Sequence, residues 1–278
     1  MFKKIIKSLL NISFIKNLYL KIFWKQSGKT FCLIYNLISR LFYNFKTQIT
    51  FNNGYYVVKE NNNIHWRFKY PSRGFYYLNG IKNRGKLLHQ QYLIQSINFF
   101  ENDIIIDVGA NIGDFYLNFN KKINYFAIEA SPIVYSILEK NINNQNLINK
   151  AVFDTDDKTI PFYLDDENAD SSAIKISNYT SKINIKTITL DTLLKKIDNP
   201  VKLIKLEAEG AEIEILKGLN QNLHKVAYIT IDCGFERGIE KQSTLKECLN
   251  YLLKKNFEII DFSTKRIVIL LKNNKLII

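Results

Sequence analysis

The chain has 278 residues, 46% of them hydrophobic, with 39 Lys and Arg against 26 Asp and Glu for a net charge of +13. That length suits an α/β protein with one main core, and the hydrophobic share is ordinary for a globular protein, so a full core can be built. Cys32, Cys233 and Cys248 form no Cys-x-x-Cys pair, and the three histidines are scattered, so the sequence shows no zinc-ligand spacing.

The charge is unevenly placed. Residues 1–50 carry nine Lys and Arg and no Asp or Glu, whereas residues 51–278 carry 30 basic and 26 acidic side chains, a net of +4. A main body so close to neutral argues against an extended nucleic-acid groove. The odd cysteine count and the lack of a cleavable signal pattern predict a reducing, cytoplasmic location.

At the start, Phe2, Ile5, Ile6, Leu9 and Leu10 fall at helical spacing with Lys3, Lys4 and Lys7 between them. Lysines recur at 16, 21 and 25, so no apolar run approaches the roughly 20 residues of a membrane span. Two readings fit this stretch. One is a helix lying in an anionic membrane surface at the inner face; the other is a helix packed on the protein with its lysines in water. Residues 1–50 are therefore expected as a basic amphipathic helical extension.

Residues 51–100 are expected to hold a hairpin over 54–70, around an Asn-rich turn, and a helix over 86–100 that leads into the main domain, 101–278. From there the spacing predicts strands near 103–108, 123–129, 148–153, 201–207, 225–232, 257–262 and 266–271. Helices are predicted near 112–121, 132–144, 189–197, 211–220 and 243–255. This alternation predicts an α/β, Rossmann-like fold: a mainly parallel seven-stranded sheet closed by an antiparallel C-terminal hairpin. The polar stretch 165–184 interrupts the alternation and reads as a lid or substrate loop.

The chemistry concentrates in "DIIIDVGANIGDF" at 103–115. Gly109 and Gly113 flank Ala110 and Asn111 as Gly-x-x-x-Gly, where a dinucleotide site would place a middle glycine. No Gly-Lys-Ser/Thr follows, which excludes a P-loop. Asp107, at the strand end, suits the cationic methionine part of S-adenosylmethionine, and a helix N-terminus after the turn would offer N–H groups to its carboxylate. Glu129 and Ala130 end the second strand; an acid there can accept from both ribose hydroxyls, which fits either adenosylmethionine or NAD. Glu129 could instead complement the helix opened by Pro132. Ala151, in "KAVF", is placed to wall an adenine.

"DVGANIGDF", "IEASP", "LDTLL" and "IKLEAEGAEIEILKGL" occur in the order found in the FkbM family of S-adenosylmethionine-dependent methyltransferases, which this chain resembles over roughly 101–235. The resemblance implies a class I methyltransferase fold and O-methylation, most often of a sugar hydroxyl in a surface glycan or a natural product. Many relatives have aspartate where this chain has Glu207. Glu207 and Glu209 are expected at the carboxyl end of the fourth strand and Asp232 at that of the fifth, where open α/β sheets bind ligands. Neighbouring carboxylates raise one another's proton affinity and so poise a base, or they hold a divalent cation. Glu212 reads as a helix N-terminal acid. His89 is a further candidate base, Ser171 and Ser172 match a serine pair common in the family on the acceptor side, and Arg237 is placed to hold an anionic acceptor or to pair with Glu236. The acceptor is expected to be a small-molecule or lipid-linked glycan. An NAD-dependent sugar oxidoreductase and a non-catalytic cofactor-binding scaffold at a membrane glycan assembly are the rival readings.

Overall fold

A computed structural model describes residues 26–61, 64–165 and 171–276. Phe2, Ile5, Ile6, Leu9 and Leu10 lie outside the described residues. The chain divides into two compact units, Met1–Arg84 and Gly85–Ile278.

In the first unit, helix α1 (Gly28–Phe42) buries Phe31, Cys32, Tyr35 and Ile38 along one stripe, with three- and four-residue steps from Cys32 and Phe31 to Tyr35 and on to Ile38, as in an amphipathic helix. It packs on an antiparallel sheet of β1 (Thr47–Asn52), β2 (Tyr55–Glu60) and β3 (Ile64–Phe68), in that order. Asn53 and Gly54 join β1 to β2 with φ of 50° and 78°, the pair of positive values that a tight two-residue hairpin turn needs. Strands β2 and β3 form the hairpin expected at 54–70, and β1 adds a third strand within the basic stretch. Tyr56 stacks on Phe68 at 5.2 Å and takes Phe31 edge-on at 5.4 Å, so aromatic rings fill this small core.

The second unit is built on seven strands: β4 (Ile104–Val108), β5 (Asn124–Ile128), β6 (Leu147–Ile148), β10 (Val201–Leu206), β11 (Val226–Asp232), β12 (Phe257–Ser263) and β13 (Val268–Asn273). Their order is β12-β13-β11-β10-β4-β5-β6. All neighbours pair in parallel except β13, which runs antiparallel to both β11 and β12. This is the expected class I methyltransferase architecture. Every residue of β4 and β10 is buried, as in strands covered on both faces.

Short helices cover the sheet: α3 (Pro132–Asn141), α4 (Leu190–Leu194), α5 (Glu212–Lys217) and α6 (Leu245–Lys254). Ser131 caps α3 by accepting from the Val134 N–H, with Pro132 at the first helical position where its missing N–H costs nothing. The helix expected over 86–100 is displaced to α2 (Ile81–Gln91), and Leu93 follows it at a positive φ of 60°.

Two expectations are corrected. No α-helix follows the glycine turn; a five-residue 3-10 segment, Asp114–Asn118, stands in place of the helix expected over 112–121. The segment starts from left-handed Gly113 and ends at Asn118, a residue that favours turns over helix interiors. The stretch 148–153 also splits: β6 stays in the main sheet, while β7 (Ala151–Val152) joins β9 (Ser181–Ile188) and β8 (Thr159–Leu164) in a second sheet ordered β7-β9-β8. The stretch expected as a loop, 165–184, thus ends inside β9. Pro161 is tolerated because β8 is an edge strand.

Phe68→Ala removes a fully buried ring from the small aromatic core, an expected loss of about 3–5 kcal/mol in stability. Urea unfolding followed by circular dichroism measures it, and a loss below about 1 kcal/mol would contradict this packing.

Candidate active site

The parallel register of β4 and β10 sets Lys205 beside Asp107. The Lys205 ammonium donates to Asp107 Oδ1 at 2.9 Å and to the Gly109 carbonyl at 3.0 Å, and it pairs with Glu207 Oε2 at 3.1 Å. The other Asp107 oxygen accepts from the Tyr125 hydroxyl. The Asp107 and Lys205 side chains are 0% and 3% exposed. Burial works against the ammonium, but Asp107 and Glu207 together hold its pKa above the ordinary lysine value. Asp107 is therefore engaged by Lys205 and Tyr125 inside the sheet.

This clamp fixes the glycine turn. Gly109 has φ of 71°, and a Cβ there would lie 1.8 Å from the Glu207 carbonyl oxygen, so β10 itself demands glycine. At Gly113 a Cβ would meet Ile142 Cδ1 at 2.6 Å, so this glycine serves packing against the end of α3. Between them, Ala110 is buried, and its N–H joins that of Gly109 on the Ile128 carbonyl. Asn111, at φ of 51°, donates its N–H to Glu129 Oε2 at 2.9 Å, while the Ser131 N–H reaches Glu129 Oε1 at 2.8 Å. Burial pushes the Glu129 pKa up to about 7, with the Ser131 and Asn111 N–H groups pulling the other way.

A cleft opens at the carboxyl ends of β4, β5 and β10. Gly109, Glu129, Ala130, Ala151, Ser171 and Glu207, all picked out from sequence, line it. Val152, Phe162 and Ala173 supply apolar wall, and Lys150 is its basic side chain. Asp107, Ala110, Asn111 and Gly113 are not part of the lining; they support it from behind.

The acids form a second feature, organised by Arg266 from the β12–β13 turn. The Arg266 Nη2 atom stands 2.9 Å from Glu207 Oε1, 2.6 Å from Asp232 Oδ2 and 3.7 Å from Glu236 Oε1. Burial alone would raise the Glu207 pKa, but Lys205 and Arg266 hold it down at about 2. Mutual elevation operates on the other two acids. Asp232 is raised by burial and by Glu207, against Arg266, and Glu236 is raised by burial and by Asp232. Glu207 is thus a persistent anion and a poor proton acceptor, a correction to the base role expected for it. The space a divalent cation would take among these acids holds the guanidinium. Among the described residues, no group of three His, Cys, Asp or Glu side chains is arranged to bind a metal.

Glu209 and Glu236 line a second cleft, together with Asp165, Asn178, Phe235 and Lys241. The two clefts adjoin through shared segments. Ser171 lines the first and accepts from the Asp165 N–H, while Ser172 donates to the Glu209 carbonyl at 2.8 Å and fixes that left-handed residue in place.

The remaining candidates have structural tasks. His89 has both ring nitrogens engaged, with the Phe115 carbonyl at 3.0 Å and Asn118 Nδ2 at 3.1 Å; burial lowers its pKa to about 4. It lines neither cleft, so the structure removes it as a base. Arg237 binds Glu214 through two hydrogen bonds of 2.7 and 2.8 Å and also donates to the Gly210 carbonyl, so its partner is Glu214 and not the adjacent Glu236. Glu212 accepts from the Ala208 and Gly210 N–H groups and from Thr244, which shapes the turn before α5. Lys205, Arg266, Glu236 and Tyr125 are the site residues that sequence reasoning missed. Lys205 left a signal: a lysine near the carboxyl end of a strand whose other residues, Lys202 apart, are apolar, two residues before Glu207 and hence on the same face.

The profile of the Methyltransferase FkbM domain matches residues 107–259. The hexuronic acid methyltransferase AglP of Haloferax volcanii is 27% identical over 158 residues, which cover 52% of this chain and 61% of that protein. The chain thus matches about three-fifths of the length of this curated relative. Among solved structures, the methyltransferase FkbM from Methylobacillus flagellatus is 17% identical with a TM-score of 0.44, covering 73% of this chain and 52% of the other. The fibrillarin of Aeropyrum pernix is 13% identical with a TM-score of 0.39, covering 81% of this chain and 97% of the other.

Lys205→Met leaves Asp107 buried without its counter-charge, an expected loss of about 3–5 kcal/mol. Adding Asp107→Asn should recover part of it. Guanidinium unfolding of both variants checks this, and a single-variant loss below about 1 kcal/mol would contradict the clamp. Glu207, depressed to about 2 from an ordinary 4.5, adds stability that is fully present above 4.5 and lost as pH falls through 2.

Proposed function

This chain belongs to the FkbM family of methyltransferases, and we propose that it transfers a methyl group from S-adenosylmethionine to a sugar hydroxyl of a surface glycan or related glycoconjugate. The observation that carries the reading is the first cleft, where Glu129, a wall of small and apolar side chains and the fixed anion Glu207 face one space. That donor set fits a nucleoside with a cationic tail. Glu129 would accept from the ribose hydroxyls, Ala151, Val152 and Phe162 would flank the base, and Glu207 would face the positive end. Bound there, the cofactor supplies an electrophilic methyl group. A pyrophosphate would want the aligned N–H groups of a full helix after the glycine turn, and a five-residue 3-10 segment follows instead.

The second cleft receives the acceptor. Glu209 and Glu236 are the carboxylates placed there to take the hydroxyl proton, with Asp232 and Arg266 behind Glu236 setting its proton affinity. The relative in Haloferax volcanii is named for methylating a hexuronic acid, which supports a sugar as the acceptor class. Incubation with methyl-labelled S-adenosylmethionine and a panel of glycosides tests this. Label in a glycoside is the expected result, and cofactor binding with no transfer to any acceptor would favour the non-catalytic scaffold.

Residues 1–50 attach the enzyme to an anionic membrane at its cytoplasmic face. Supporting this, α1 exposes Leu33, Leu37 and Leu41 (73, 57 and 48%) at four-residue spacing, one apolar stripe within a stretch free of acids. Among the described residues, no helix is long and apolar enough to cross a membrane. Each basic residue near such a surface is worth about 1 kcal/mol, so binding should be salt-sensitive.

Glu129→Ala should weaken cofactor binding by about 1.5–3 kcal/mol, as measured by calorimetry. The ionised Glu129 is the better acceptor. With its pKa at about 7, affinity for S-adenosylhomocysteine should rise roughly tenfold from pH 6 to pH 8, with proton release on binding at neutral pH. A flat pH profile would contradict this role. For the membrane, the chain should co-sediment with phosphatidylserine vesicles at low salt and with neutral vesicles far less; equal, negligible binding to both contradicts attachment.

A further inference from the structure

We propose that the open face of the β1-β2-β3 sheet docks an acidic glycan chain. The inference rests on the reading of the acceptor as a glycan. The charge asymmetry of the chain follows the boundary between its two units. Met1–Arg84 carries 15 Lys and Arg against one acid, Glu60, whereas Gly85–Ile278 carries 24 basic and 25 acidic side chains. Glu60 is buried, and one of its oxygens accepts from the Ile81 and Lys82 N–H groups. Among its described residues, the first unit therefore exposes no carboxylate, and its field favours an anion.

Strand alternation divides this unit into two sides. Ile49, Tyr56, Val58 and Phe68 are buried on the side that α1 covers, where the Tyr35 hydroxyl meets Thr47 Oγ1 at 2.7 Å. On the other side the register sets cross-strand rows: Gln48, Lys59 and His65 form one, and Thr50, Val57 and Arg67 the next. Lys69 continues this side past β3 and donates to the Gly54 carbonyl at 3.0 Å, beside the β1–β2 turn. Gln48, Thr50, Lys59, His65 and Lys69 are exposed. Three cations, no acid and hydrogen-bonding side chains between them complement a chain of carboxylates and hydroxyls. Other anionic partners fit less well. Among the described residues, none of the exposed large apolar side chains lies on β1, β2 or β3, so this face has nothing to insert into a bilayer; Leu33, Leu37 and Leu41 belong to α1, which covers the opposite side. A single-stranded nucleic acid wants exposed aromatic rings for its bases, and the one phenol here, Tyr55, is half-buried.

The test is calorimetric titration of the full chain with oligogalacturonate and with its methyl-esterified form, which share a backbone and differ in charge. The acid form should bind about tenfold tighter at low salt, and the preference should fall as salt is added. Lys59→Gln combined with Lys69→Gln should weaken the acid form by about fivefold or more. Lys29→Gln combined with Arg40→Gln removes the same charge from α1 and should change it by less than about twofold. Circular dichroism confirms that each variant is folded. Equal binding of the two forms would overturn the inference, and so would an equal loss in the two double variants. Tighter binding of polyuridylate or of phosphatidylserine vesicles, weakened by the Lys59 and Lys69 changes, would overturn it in favour of RNA or a membrane. Methyl transfer to small glycosides separates the two readings, because the sheet variants should leave it unchanged. No transfer by the unmodified chain with the galacturonate preference intact overturns the proposed reaction alone; transfer without that preference overturns the docking face alone.

Discussion

One buried ammonium organises the catalytic unit. Lys205 enters the centre of an apolar sheet and there meets Asp107, the Gly109 carbonyl and Glu207. A charge so placed is tolerated only with excellent partners, because the cost of removing it from water is several kcal/mol. Its partners are the end of one strand, the turn that leaves that strand, and the first residue beyond the neighbouring strand. Whatever positions Lys205 therefore positions the floor of the first cleft. The close passage of the Glu207 carbonyl over Gly109 follows from the same geometry, and so does the requirement for glycine there.

The antiparallel strand β13 has a matching role on the other side. Strand β12 runs in the same direction as β11 and ends at the same carboxyl edge, and β13 turns back antiparallel between the two. The β12–β13 turn therefore sets Arg266 beside the end of β11, where it gathers Glu207, Asp232 and Glu236. Two cations held by four carboxylates leave the region acidic, and the excess is unequally shared. Glu207, between both cations, stays ionised; Glu236, farthest from the guanidinium, keeps its proton more readily. One constellation thus yields a carboxylate that stays ionised and another that holds its proton more readily.

Features written in local pattern were legible from the chain. An apolar strand ending in an acid, a glycine turn and a second acid at the next strand end located Gly109, Glu129 and the cleft they share. Strand alternation foretold the sheet and its final hairpin. Features that depend on distant pairing were not. Nothing near "STKR" announces that Arg266 faces three acids, and without Arg266 and Lys205 the carboxylates read as a set that would raise one another. His89 looked available because its partners, the Phe115 carbonyl and Asn118, belong to a segment expected as a regular helix. Strand β9 was hidden by the Asn-rich sequence before it, although Ile183, Ile185 and Thr187 alternate as a half-buried strand should.

If the first cleft holds a nucleoside with a cationic tail and no phosphate, it takes S-adenosylmethionine and refuses NAD. Calorimetric titration of the unmodified chain with each ligand separately is the test. Saturable binding of S-adenosylmethionine with one site per chain, and no measurable binding of NAD, is expected. Tight NAD binding with none of S-adenosylmethionine would contradict it.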